Sequence, residues 1–161
     1  MVESSSNNNS SNVQENVAEL SFGPEFKDIH ILSNAQVAII LQVSANSAVT
    51  RDEELNEVYR KTQRYVNRFN SMNNAEKEHQ ELVDELDNLQ EALTTFRKDK
   101  EDGIGELELH GAEVAALMNL VATDTLVEEA VALIPSLSRF PEAAIDEILD
   151  LIRSTMIRIV S

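Results

Sequence analysis

The sequence contains no cysteine, so it can form neither a disulfide nor a thiolate metal site, a composition that suits a reducing compartment. Cationic residues are also scarce: 13 Lys and Arg face 29 Asp and Glu, for a formal charge of −16. Along the chain the balance is −4 over residues 1–49, −3 over 50–100 and −9 over 101–161. No segment is basic overall, which argues against tight, unaided binding to a phosphate backbone. No apolar run approaches the roughly 20 residues that cross a membrane. The opening MVESSSNNNSSN lacks the apolar stretch of a signal peptide. These absences lead us to expect an acidic, soluble, intracellular protein.

The signatures of catalysis are missing as well. Gly103-x-Gly105 has Glu108 where a dinucleotide-binding loop places its third glycine, and no strand pattern precedes it. There is no GxxxxGK[ST] loop, and no Ser or Thr sits in a nucleophile elbow. His30, His79 and His110 are scattered, none with a second ligand at zinc-site spacing. Glu76, Glu78, Glu81, Asp84, Glu85, Asp87 and Glu91 crowd one amphipathic helix, where like charges normally form a solvated face. The expectation is a protein that is not an enzyme and needs no cofactor or metal.

Leu, Ile, Val and Phe together make up 47 of 161 residues, about 29%, enough to build a core. Residues 1–12 form a Ser/Asn tail that has nothing to bury and reads as disordered. Between residues 13 and 32 come two short period-two signals. Ala18, Leu20 and Phe22 alternate with Glu19 and Ser21, and Ile29 and Ile31 alternate with Asp28 and His30. Gly23-Pro24-Glu25-Phe26 separates them, because Gly-Pro interrupts regular pairing.

From residue 33 onward the pattern is helical. Ser33 and Gln36 have capping-box spacing and open a first helix through Val37, Ile40 and Leu41. Thr50 with Glu53 repeats the signal ahead of a stripe of Leu55, Val58, Tyr59, Thr62, Tyr65, Val66 and Phe69. A third helix from Asn73 or Asn74 carries Leu82, Leu86, Leu89, Leu93 and Phe96, and residues 98–105 read as a polar loop. A fourth holds Val114, Leu117, Met118 and Val121. Thr125 with Glu128 caps a fifth that stops at Pro135, with Leu133, Ile134 and Leu137 expected in the core. Pro141 suits the first turn of a sixth, with Ile145, Ile148, Leu149, Ile152, Met156 and Ile159 facing inward. Arg60, Lys61, Arg64 and Arg68 line the outer side of the second helix. They suit either a phosphate contact or, the reading favoured here, ion pairs with the acidic third helix.

The two strand signals make at most one hairpin, which is marginal alone, and the rest of the sequence offers no third strand. Such an arm is either disordered or completes a sheet in another protein.

Ala18-Glu19-Leu20-Ser21-Phe22-Gly23-Pro24-Glu25-Phe26, followed by Leu32-Ser33-Asn34-Ala35-Gln36-Val37, resembles the opening of the family of fourth subunits of eukaryotic RNA polymerase II. Val58 to Thr62, Tyr65 to Phe69, Val127 to Leu137 and Ile145 to Ile152 resemble later blocks of that family, in its order. The chain departs from it in a longer third-helix region, in Asn70-Ser71-Met72-Asn73, and in Ala112-Glu113 at the start of the fourth helix.

The resemblance implies a mainly α fold: a small helical domain like those at the ends of helicases and ribonuclease D, over residues 50–161. Ahead of it, residues 13–49 would supply an extended β arm and one helix that pack on a partner. It also implies a nuclear, non-catalytic stalk subunit that forms a heterodimer with the seventh subunit, an RNA-binding barrel protein. The pair joins the polymerase core, supports initiation, offers a docking surface near the RNA exit and meets nascent RNA only indirectly. The partner-binding residues would be Leu20, Phe22, Pro24, Phe26, Ile29, Ile31, Val37, Ile40 and Leu41. The paralogous stalk subunit of RNA polymerase III shares the helical body; the Gly-Pro-Glu-Phe arm favours polymerase II. An unrelated acidic helical adaptor is the remaining alternative.

Overall fold

The structure, a computed structural model, describes residues 16–26, 29–70, 78–120 and 124–160. The expected tail, the start of the third helix at Asn73 or Asn74, and Val121 lie outside them. The chain is mainly α. Six helices run α1 Asn34–Thr50, α2 Glu57–Phe69, α3 His79–Thr95, α4 Gly111–Met118, α5 Val127–Leu133 and α6 Glu142–Val160. A short hairpin joins α3 to α4, with β1 Arg97–Asp99 antiparallel to β2 Glu106–Glu108.

The core forms where the apolar stripes of α3, α4 and α6 meet. Leu86, Leu89 and Leu93 of α3 pack with Val114, Leu117 and Met118 of α4 and with Ile145, Ile148, Leu149, Ile152, Met156 and Ile159 of α6. Leu137, within a 3-10 turn at Pro135–Arg139, and Phe140, directly after it, close one end. Leu82 and Phe96 sit at the rim, so the third-helix stripe lies where its spacing placed it.

Helix starts are set by side chains that satisfy the first free N–H groups. The Ser33–Gln36 capping box forms: the Ser33 amide donates to Gln36 Oε1 at 2.9 Å and the Gln36 amide to Ser33 Oγ at 3.3 Å. The Thr50–Glu53 pair does not cap α2. Thr50 is the last residue of α1, and Asn56 accepts from the Tyr59 amide at 2.8 Å instead, which leaves Leu55 ahead of the helix. α5 likewise opens one residue later than Thr125 implied, with Glu129 accepting from the Leu126 amide at 3.1 Å. Its last residue, Leu133, is 67% exposed, against expectation, because the chain turns into the 3-10 segment after it. Ile134 and Leu137 are buried.

Residues 98–105 are more than a loop. Arg97 and Glu108 pair across the hairpin at 3.2 Å, and Gly103 and Gly105 take φ of +69° and +91° in its turn. Only glycine adopts such angles without strain. The arm, in contrast, forms no strand ladder among the described residues. Val17–Glu19 and Pro24–Phe26 are 3-10 turns, and Asn16 and Ser21 make a single isolated bridge. Residues 29–33 have no regular structure.

Candidate partner-binding surface

Two of the places where the arm meets the body bear on partner binding. At the first, the Phe22 ring stacks on His110, with centroids 5.5 Å apart and planes 21° from parallel. His110 is the N-cap of α4, its Nδ1 accepting from the Ala112 amide at 3.1 Å, so Phe22 is seated against the start of that helix. Leu20, half-buried, is held in the left-handed region at φ 55°, a conformation that costs a residue with a Cβ about 1–2 kcal/mol. Pro24 and Phe26 point outward.

At the second place, α1 leans on α3 and α4. The Asn34 amide donates to Asn119 Oδ1 at 2.8 Å, and Gln36 Nε2 donates to Gln90 Oε1 at 2.6 Å. Above this anchor lies a groove of about 210 Å³ lined by His30, Leu32, Ile39, Ile40, Val83 and Leu86, among others. Ile29 is 50% and Ile40 52% exposed, while Ile31, Val37 and Leu41 are half-buried. The nine residues named from the sequence therefore divide. Phe22 meets the N-cap of α4, Ile40 joins the groove, Pro24, Phe26 and Ile29 are exposed, and Leu20, Ile31, Val37 and Leu41 are half-buried. Leu32, Ile39, Val83 and Gln90 line the groove without having been singled out. The spacing of Leu32 and Ile39 around Gln36 was the signal available for them.

Helix α2 packs on α1 and contributes one buried side chain, Val66; Val58, Tyr65 and Phe69 of its stripe are exposed. The Tyr59 hydroxyl donates to the Leu41 carbonyl and ties the two helices together. Among the described residues its cations do not pair with α3 as expected. Arg60 meets Glu54 at 3.2 Å and Lys61 meets Glu57 at 2.9 Å, both locally, while Arg68 lies over the Phe69 ring at 5.3 Å. Of the α3 acids, Glu85 pairs with Arg158 of α6 at 3.0 Å.

One charged cluster is buried. Glu113 of α4 is 1% exposed; it accepts from the His110 amide at 2.8 Å, from Ser136 Oγ at 2.6 Å and from Arg139 Nη2 at 2.6 Å. Arg139 also donates to the carbonyls of Ser136 and Glu108, which fastens the hairpin to the 3-10 turn. Burial alone would push the Glu113 carboxyl up, but the hydrogen bonds from Arg139, Ser136 and His110, with the guanidinium charge, outweigh it and hold the pKa below the usual carboxylate range. Sequence reading noticed Glu113 only as a departure. The His110-x-x-Glu113 capping spacing was the missed signal. Among the described residues no group of three His, Asp or Glu side chains is placed to hold a metal ion, and no helix is long and apolar enough to cross a membrane.

A helical body with an apolar arm and a half-covered first helix is what a subunit built to be held by another protein requires. The model of the RNA polymerase Rpb4 family matches residues 3–156, nearly the whole chain. The chain belongs to that family. It is accordingly an accessory, non-catalytic subunit of DNA-directed RNA polymerase, and the family pairs with a partner subunit to form the polymerase stalk.

Proposed function

We propose that this chain is the stalk subunit of RNA polymerase II, acting in the nucleus as a heterodimer with the seventh subunit to support initiation and to dock factors near the RNA exit. Residues 13–49 make the partner-binding part and residues 50–161 the helical body. The Gly23-Pro24-Glu25-Phe26 arm favours polymerase II over the paralogous stalk of polymerase III.

The observation that carries the reading is the run of apolar side chains left outside the core by one continuous stretch, Phe26, Ile29 and Ile40. Leaving three large apolar groups half exposed gains nothing for the chain alone, whereas burying the rest of each in a partner is worth about 1 kcal/mol. Leu20 supports it further: drawing residues 18–22 into an added strand relieves its left-handed conformation and exchanges the local turn hydrogen bonds of residues 18–21 for a ladder. The test is mass spectrometry of what co-purifies with the tagged chain, wild type and Phe26→Ala/Ile40→Ala. The seventh subunit of polymerase II should be recovered by the first and depleted with the second. Recovery of polymerase III subunits moves the assignment to the paralogue, and recovery of no polymerase subunit contradicts it.

A further inference from the structure

A second groove lies on the C-terminal side of the molecule, where α5 and the residues after Pro135 face the start of α6. It encloses about 480 Å³ and shares no lining residue with the groove beside α1. Its apolar walls are the half-buried Val127 and Val131, backed by the buried Phe140 and Ile145, with Ala132 and Ser138 exposed at the edge. Two carboxylates, Glu128 from α5 and Glu142 from α6, line it from opposite elements. Among the described residues neither is paired with a cation, unlike Glu147, which holds Lys98 at 2.7 Å, and Asp150, which holds Arg153. No Lys or Arg lines the groove, and residues 101–161 as a whole carry −9.

We propose that this groove binds a cationic amphipathic segment of another protein, its apolar side chains seated on Val127 and Val131 and its Lys or Arg side chains meeting Glu128 and Glu142. Charge selects the occupant. A nucleic acid strand or a second copy of this chain, itself at −16, is repelled by the two carboxylates, whereas a basic segment is steered toward them. The apolar walls demand more than charge, because a wholly polar basic peptide leaves them wet. Recognition of this kind follows the helix-in-groove pattern, with anchors at helical spacing and a charged rim that sets specificity. The inference goes beyond the stalk assignment and does not depend on which subunit the arm holds.

The probe is a fluorescein-labelled 16-residue peptide of Leu and Lys in amphipathic helical pattern, titrated by anisotropy into the full chain at physiological salt. The control is the same peptide with Glu in place of Lys. The Lys peptide should bind and the Glu peptide should not. Glu128→Gln/Glu142→Gln should weaken binding about fivefold, and Ala132→Arg, at an exposed position, about tenfold. Leu133→Ser, on another face of α5, should leave it unchanged. Amide shifts at Val131, Ala132 and Phe140 on titration should locate the peptide in the groove. Equal binding of both peptides, binding indifferent to both groove variants, shifts that fall elsewhere, or a single-stranded oligonucleotide that displaces the peptide from these residues would each overturn the proposal.

Discussion

Helices α2 and α6 are both amphipathic in sequence, yet they end in opposite circumstances. Of its nineteen residues α6 buries eight, all but one of them apolar or alanine, against α3 and the end of α5. Of its thirteen residues α2 buries Val66 alone, and its neighbour α1 buries only Ala35, Gln36 and Ala48. An apolar stripe states that a face wants cover; it does not state that the same chain provides it. In the C-terminal half the cover comes from α3, α4 and the 3-10 turn. In the N-terminal half the described residues leave much of it uncovered, and on the reading proposed above the partner subunit of the stalk supplies that cover.

If this contrast is right, substitutions in the two halves should fail in different ways. The largest effect belongs to the C-terminal core. Ile148→Ala, at a fully buried position, should lower unfolding free energy by about 4 kcal/mol, within the usual range for such truncations, as read by urea denaturation. Arg139→Ala strips the Glu113 carboxylate of its guanidinium and should cost about 3 kcal/mol in the same assay. The clamp also sets an acid dependence. The folded Glu113 pKa lies below its unfolded value, so its contribution is complete above the ordinary Glu range and fades as pH falls through the depressed value. Urea midpoints at pH 6 and pH 3 should therefore fall less in Glu113→Gln than in wild type.

In the N-terminal half the expected effects are on association. Phe22→Ala should weaken binding of the purified seventh subunit by roughly 2 kcal/mol, about thirtyfold, by calorimetric titration, with a smaller change in stability. Replacing Arg60, Arg64 and Arg68 together by Gln should alter that affinity by less than about tenfold, since Arg60 is only locally paired and exposed. The smallest effect is at Leu133: its Ala variant should unfold within about 0.5 kcal/mol of wild type, as exposed positions do.

What could be read from the sequence followed the strength of the local signal. Ile145 to Ile159 repeat at helical spacing over four turns, and their burial matches residue for residue. Ser33 and Gln36 cap α1 as their spacing implied. Thr50–Glu53 has the same spacing and fails, because Asn56 lies closer to the true start and its side chain reaches the free Tyr59 amide. The hairpin was hidden by its brevity and charge: three-residue strands reading Arg-Lys-Asp and Glu-Leu-Glu show no apolar alternation, and only the two glycines hinted at a turn. The arm erred the other way. Its alternation at Leu20 and Phe22 is genuine, but alternation is a demand for a neighbouring strand, and the chain alone ends a tight 3-10 turn at Leu20 and leaves Phe22 without regular structure. The Glu113 clamp escaped because Ser136 and Arg139 come from 23 and 26 residues away, a distance no local pattern spans.

Hydrogen exchange followed by mass spectrometry, on the chain alone and bound to the seventh subunit, compares the two halves in one experiment. Slow exchange throughout α3, α4 and α6 in both states, with residues 17–46 fast alone and strongly protected in the complex, is the predicted result. Equal protection of Leu20, Phe22 and α1 in both states would contradict the account, because the N-terminal half would then need no partner to be covered.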